Sequence, residues 1–195
     1  MNESFALVVL ADVVARLEKL GSPYALGGSA ASGVWGQPRY TNDFDINVAL
    51  SEERGLEFLA AFTPDYLISE SELLGALAIK DDYRMVQALH VEHVYKIDFF
   101  LVGDEPFGQS VLDRAKPVVL AEGLACMVQT PEDIVLNKLR WYESGNRASE
   151  RQWNDAVQVL EVQASQLDVG YLREWATRLD VQALLEASFK EVGLS

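Results

Sequence analysis

Two acidic residues separated by one position, Asp43 and Asp45, are the part of this sequence best suited to chemistry. We predict that they lie in a β-strand, where alternate side chains share a face, so that both carboxylates point to one side and Phe44 to the other. Two close carboxylates stay ionised together only where a cation lies between them. Mg²⁺ favours one or two carboxylates together with substrate phosphates. The pair therefore predicts a metal-dependent site for nucleotide chemistry.

A third acid, Asp98, lies in a second predicted strand, residues 95–102, on the face that also carries Lys96. Together the three aspartates form the ligand set of a two-metal phosphoryl-transfer site. In such a site the third carboxylate binds the metal near the nucleophile and helps to deprotonate the attacking hydroxyl. The alternative is that Asp98 simply pairs with Lys96 or Arg84.

A glycine turn, Gly27-Gly28-Ser29, follows a short predicted strand and opens a predicted helix. Glycines there let backbone N–H groups approach phosphate oxygens, and the helix N-terminus adds a favourable dipole. The alternative is a tight turn that needs a positive φ. The Gly-Lys-Ser/Thr element of a Walker loop is absent.

Four further polar residues are candidates for nucleotide binding. Arg39 and Thr41 lie in a polar connector before the acidic strand, and Arg39 either contacts triphosphate or pairs with an acidic neighbour. Lys138 is the only cation in an apolar stretch of a predicted helix, so it either reaches a phosphate or lies at the helix surface. Asp155, next to apolar residues, is expected to be partly buried and paired with Lys138 or Arg151.

The composition limits the possible partners. The chain has 195 residues, 49% hydrophobic and 24% charged, with 16 Lys plus Arg against 30 Asp plus Glu and a net charge of −14. This acidic balance argues against broad nonspecific nucleic-acid binding, which needs a basic face. Small molecules and proteins are the expected partners.

The sequence also indicates the compartment. No apolar run reaches the roughly 20 residues that span a bilayer, so we expect no membrane association. The N-terminus lacks the basic segment of a signal peptide. Cys126 is the only cysteine, which rules out an intrachain disulfide. We therefore expect a cytoplasmic protein.

Periodicity and turn signals predict an α/β (α+β) protein: a mixed sheet flanked by helices, with a C-terminal helical lobe packed on the core. We place the core at residues 1–128 and the lobe at residues 129–195. Thr130-Pro131-Glu132-Asp133 opens the lobe with an N-cap, Pro at the first helical position and an acid at the capping-box position. We predict that Ser149 begins the next helix in the same way. The remaining predicted elements are helices at 5–20, from 30, 51–62, 71–79 and 109–115 and after Asp168 and Asp180, and strands at 24–26, 43–49, 85–89, 95–102, 118–120 and 125–128.

Three segments taken together resemble the DNA polymerase β-like nucleotidyltransferase superfamily: the Gly-Gly-Ser turn, Arg39-x-Thr41-x-Asp43-Phe44-Asp45, and Lys96-Ile97-Asp98-Phe99. Thr130-Pro131-Glu132-Asp133 with Lys138, followed by Arg151 and Asp155, resembles the C-terminal helical motif of small AbiEii-type proteins from abortive-infection and toxin–antitoxin loci. One departure from those toxins is that Trp153-Asn154 precede Asp155. The resemblance covers roughly residues 24–160.

The resemblance implies a nucleotidyltransferase-type fold and assigns roles to the candidate residues. Asp43, Asp45 and Asp98 would bind Mg²⁺, with Mn²⁺ as an alternative. Gly27, Gly28 and Ser29 would hold the triphosphate of an NTP, and Arg39, Thr41, Lys138 and Asp155 would take part in nucleotide binding.

The implied activity is transfer of NMP from an NTP to an unidentified acceptor, which is a small molecule such as an aminoglycoside, a protein side chain or an RNA end. A role in a toxin–antitoxin or abortive-infection system would add a cognate antitoxin or other partner protein. The alternative is a catalytically inactive nucleotide- or partner-binding module of the same fold. A purely structural acidic protein, which would bind no nucleotide, is the third possibility.

Overall fold

The computed structural model describes residues 3–79 and 84–194. The chain divides into two compact units: residues 1–26 with 41–128, and residues 27–40 with 129–195. The first unit contains the whole sheet. The segment 27–40, which the sequence alone does not separate from the sheet residues, belongs to the unit that contains the C-terminal helices.

The described part of the first unit contains one mixed sheet of seven strands. The strands are β1 (Tyr24–Leu26), β2 (Asp43–Ala49), β3 (Tyr66–Ile68), β4 (Met85–His90), β5 (Tyr95–Val102), β6 (Lys116–Ala121) and β7 (Leu124–Val128). Their spatial order is β3-β4-β5-β2-β1-β7-β6. The pairs β2–β5 and β1–β7 are parallel and the other four are antiparallel. The predicted mixed α/β architecture is therefore confirmed.

Nine α-helices occur in residues 3–79 and 84–194. They are α1 (Glu3–Leu20), α2 (Gly28–Trp35), α3 (Gly55–Phe62), α4 (Glu70–Ala78), α5 (Pro106–Arg114), α6 (Pro131–Ser144), α7 (Glu150–Gln163), α8 (Val169–Arg178) and α9 (Gln182–Val192). Helices α1, α3, α4 and α5 belong to the sheet unit, and the other five to the helical unit. Across the described segments, no helix combines the length and the apolar character needed to cross a membrane.

One face of the sheet carries the core of the first unit. Strand β2 alternates between half-exposed and buried side chains, as the sequence predicts, and Phe44 is one of those buried. On β5, Phe99 is fully buried and meets two rings of α3 edge-on, Phe58 at 5.1 Å and Phe62 at 5.3 Å between centroids. Large aromatic groups bury much apolar area, so this cluster is a main source of stability for the unit.

In the second unit, α6 begins as predicted. The Thr130 hydroxyl accepts a hydrogen bond from the backbone N–H of Asp133 and donates one to its carboxylate at 2.6 Å. The Tyr171 hydroxyl of α8 donates to the other oxygen of Asp133, also at 2.6 Å. The N-cap of α6 is thus hydrogen-bonded to α8, and both oxygens of the buried Asp133 carboxylate accept hydrogen bonds.

Several element boundaries differ from the sequence-based expectation. Strand β3 was not predicted, because three residues are too few to show the period of two and no glycine turn follows it, as one follows the equally short β1. The helix expected to start at Ser51 begins as a 3₁₀ turn, Glu52–Arg54, and becomes α-helical at Gly55. Helix α5 starts at Pro106, three residues earlier than expected. Ser149 precedes α7 but makes no side-chain capping bond.

The aromatic cluster gives a stability prediction. Phe99→Ala removes a fully buried ring, and we expect a loss of about 3–5 kcal/mol in the free energy of unfolding, measured by urea denaturation. The control is Phe100→Ala, which truncates the next residue on the partly exposed opposite face. An equal loss in both variants would contradict this assignment of the core face.

Candidate functional site

The three candidate acids emerge from the sheet face opposite the core. Strands β2 and β5 run parallel, with Asp43 opposite Lys96 and Asp45 opposite Asp98. Residues paired directly across two strands project from the same face. The burial pattern agrees, since Phe44 and Ile97 between these positions are buried on the other side. The acids of the two strands therefore project from the same face of the sheet.

A lysine ammonium lies between two of the carboxylates. The Nζ atom of Lys96 is 3.1 Å from Oδ2 of Asp43 and 2.7 Å from Oδ2 of Asp98. Burial alone would lower the pKa of Lys96, but its bonds to Asp98 and Asp43 outweigh this effect and hold the pKa above its usual range. Lys96 is therefore a charged counter-ion shared by both acids.

Neutral donors hold the other oxygen of each carboxylate. The Thr41 hydroxyl donates to Oδ1 of Asp43 at 2.9 Å, and Nε2 of Gln87 on β4 donates to Oδ1 of Asp98 at 3.1 Å. Each acid is thus fixed on one side by an uncharged group. The two Oδ2 atoms are left directed at the same cation.

The donor chemistry of this pair fits a divalent ion. Asp43 and Asp98 already share one cation, and Mg²⁺ accepts one or two carboxylates when substrate phosphates supply further ligands. Within residues 3–79 and 84–194, no group of three or more His, Cys, Asp or Glu is placed to hold a metal. The metal-binding roles of Asp43, Asp45 and Asp98 therefore stay predictions.

The second unit brings together four of the predicted nucleotide-binding residues. Asp155 on α7 accepts from Nε and Nη2 of Arg39 at 3.0 and 2.9 Å, and from Nζ of Lys138 on α6 at 2.8 Å. The Nη2 atom of Arg39 also donates to the Ser29 hydroxyl at the start of α2. This cluster of Ser29, Arg39, Lys138 and Asp155 is called the Asp155 cluster below.

Burial decides between the alternatives for these residues. The side chains of Lys138 and Asp155 are each only 5% exposed, so the alternative that Lys138 lies at the helix surface is wrong. Arg39 pairs with an acidic neighbour, as one of its two interpretations predicted. Burial of Asp155 would raise its pKa, but the bonds from Arg39 and the charge of Lys138 outweigh it, and the pKa is lowered.

The glycine turn has a structural reason for two of its residues. Gly27 precedes α2, and a Cβ there would lie 2.6 Å from Nε2 of Gln129. Gly28 has a φ of +57°, a conformation that other residues rarely adopt. The turn interpretation is therefore supported. Triphosphate binding by Gly27, Gly28 and Ser29 stays a prediction.

Sequence reasoning missed two features of the acidic site. Lys96 was expected at most to pair with Asp98, and its contact with Asp43 follows only from the β2–β5 register. Gln87 was not singled out, although alternation along β4 places it on an exposed face. Alternation along one strand does not identify the partner of Lys96 or of Gln87, because the local sequence does not encode which strands pair.

Comparison with known proteins gives the class of fold. No protein-family model matches the chain, and no curated protein matches its sequence. The structure is similar to that of the antibiotic-resistance factor ANT(2″)-Ia in complex with adenylyl-2″-tobramycin, with 12% identity, a TM-score of 0.59, and coverage of 92% of this chain and 99% of that one.

It is also similar to an antigenic nucleotidyltransferase-like protein from Paracoccidioides brasiliensis, with 14% identity, a TM-score of 0.55, and coverage of 94% of this chain and 92% of that one. The chain therefore has a nucleotidyltransferase-type fold, in agreement with the superfamily resemblance. Membership of the AbiEii-type group stays a prediction.

The Asp155 cluster gives a prediction about stability and pH. Asp155→Asn leaves the buried Lys138 without its carboxylate, so we expect a loss of about 3–5 kcal/mol in the free energy of unfolding. Because the pKa of Asp155 is lower in the folded than in the unfolded state, its contribution is full above about pH 4 and is lost as the pH falls through the folded-state value. As the pH falls below about 4, the free energy of unfolding of the variant should therefore decrease less than that of the parent.

Denaturation followed by tryptophan fluorescence at several pH values measures both effects. The control is Glu161→Gln, on the exposed side of the same helix, with an expected change within about 0.5 kcal/mol. Equal stability of the parent and Asp155→Asn would contradict the stabilising role that we assign to Asp155 in this cluster.

Proposed function

We propose that this protein is a Mg²⁺-dependent nucleotidyltransferase that transfers NMP from an NTP to an acceptor, with Mn²⁺ as a possible substitute metal. The observation that supports this most directly is the pair Asp43 and Asp98, each of which directs one oxygen at a shared cation. The nucleotidyltransferase-type fold agrees with this proposal.

In this proposal the chain's own residues orient the reacting groups. Thr41 and Gln87 hold the two carboxylates in place, so that little reorganisation is needed when charge develops. Asp98 accepts the proton of the attacking hydroxyl. A bound divalent ion would neutralise charge on the triphosphate as pyrophosphate leaves in line. Asp45 adds a third carboxylate beside Asp98.

The second unit supplies the nucleotide-binding residues of the proposal. Gly27, Gly28 and Ser29 offer backbone and hydroxyl groups at the start of α2, where the helix dipole favours anions. In the Asp155 cluster, Arg39 and Lys138 both bind the Asp155 carboxylate. Guanidinium and ammonium groups are also the side chains that most often bind phosphate, which supports a role in nucleotide binding.

We propose a small cationic molecule as the acceptor. A net charge of −14 attracts cations and repels nucleic acid. ANT(2″)-Ia was solved with an adenylylated tobramycin, which makes tobramycin a suitable first acceptor to assay. A protein side chain ranks next and an RNA end last. The AbiEii-type resemblance further suggests a cognate antitoxin in the cytoplasm.

The test is pyrophosphate release from each NTP with Mg²⁺ and a panel of acceptors that includes tobramycin. Asp43→Asn removes one of the two charges directed at the cation, and we expect at least about a 100-fold loss in kcat/KM. The control is Asp104→Asn, which neutralises an exposed acid of the same unit and should leave the rate unchanged. An unchanged rate in Asp43→Asn would contradict the site.

The second candidate is a nucleotide-binding module without turnover. The observation that favours it is the Lys96 ammonium between the carboxylates, since a permanent protein cation there would replace the metal. Nucleotide binding by calorimetry without pyrophosphate release across the acceptor panel would support this candidate.

A further inference from the structure

The position of Lys96 has a consequence for metal binding, given the proposed function. Its ammonium is bound by the same oxygen of Asp43 and of Asp98 that the proposed metal would use. One oxygen cannot serve the ammonium and a divalent ion equally, because the two cations repel each other. A metal therefore has to compete with a cation that is built into the protein.

The geometry allows the Lys96 ammonium to move away from the two carboxylates. The Lys96 side chain is 35% exposed, so solvent is accessible to it, and its four-carbon stem rotates freely. The two carboxylates, in contrast, are fixed at their other oxygens by Thr41 and Gln87. Departure of the ammonium would leave the acid pair in place.

We propose that Lys96 is a resident counter-cation that holds the Asp43–Asp98 pair against free divalent ions and gives it up only when the metal is delivered with the nucleotide. The pair alone would attract any free divalent ion. With the ammonium in place, a free ion must displace it without compensation. A metal–NTP complex brings phosphate oxygens that accept the released ammonium.

The test measures binding of free Mn²⁺, without nucleotide, by electron paramagnetic resonance. If the ammonium occupies the pair in more than nine molecules of ten, Lys96→Met should bind Mn²⁺ at least about tenfold more tightly than the parent. Lys96→Arg, which keeps a cation, should bind like the parent. The matched control is Lys116→Met, which removes an exposed lysine of the same unit and should also bind like the parent.

Two further variants connect the effect to this pair. Lys96→Gln is a second neutral replacement, to be used if thermal unfolding shows that Lys96→Met does not fold. The double variant Lys96→Met with Asp98→Asn should not show the tighter Mn²⁺ binding that we expect of Lys96→Met. Equal Mn²⁺ affinity in the parent and the neutral variants, or no Mn²⁺ binding by either neutral variant, would overturn the proposal.

The outcome is separable from that of the proposed function. A gain of Mn²⁺ binding in Lys96→Met, together with no pyrophosphate release by the parent, would support the counter-cation and count against the enzyme. Pyrophosphate release by the parent, together with unchanged Mn²⁺ affinity in the neutral variants, would support the enzyme and count against the counter-cation.

Discussion

The parallel pairing of β2 with β5 is the constraint on which the acidic site depends. It places Asp43 opposite Lys96 and Asp45 opposite Asp98, so acids that are more than fifty residues apart in sequence meet on one face. A shift of one residue would send one strand's acids into the core. The buried rings of Phe44 and Phe99 on the opposite face oppose such a shift, because each would have to move into solvent. The hydrophobic core thus sets the register that the chemistry needs.

Both polar clusters follow one electrostatic rule, that close or buried carboxylates need cations. In the sheet unit, the half-buried ammonium of Lys96 lies between two acids. In the helical unit, the buried Asp155 lies between two cations, Lys138 and Arg39. The Asp155 carboxylate and the Lys138 ammonium are each 5% exposed, whereas the Lys96 side chain is 35% exposed. The Lys96 ammonium is therefore more accessible to solvent than the Lys138 ammonium.

The fold and the net charge together bear on which acceptor we propose. A nucleotidyltransferase-type fold hosts more than one acceptor chemistry, so the acceptor must be argued from the site and the surface. In our proposal, the net charge of −14 disfavours a nucleic-acid acceptor and favours a cationic small molecule. Catalysis would then depend on whether the Lys96 ammonium yields its place between Asp43 and Asp98 to a metal.

Much of the architecture could be predicted from the sequence. Strands β2 and β5 were predicted with the bounds that the structure has, because polar and apolar residues alternate over residues 43–48 and 95–99. The capping signals at Thr130 located the start of α6. Strand β3 was missed because its three residues show no period and no glycine turn follows it, as one follows β1, and because its pairing with β4 is a long-range contact.

The residues that could do chemistry, and the face of each strand that carries them, could be identified from the sequence, because alternation within a strand is a local property. Three contacts became evident only from the folded chain: the meeting of the acids, the place of Lys96 between Asp43 and Asp98, and the convergence of Arg39 and Lys138 on Asp155. These contacts join positions far apart in the chain. They depend on strand register and helix packing, which result from burial of the whole core rather than from any local pattern.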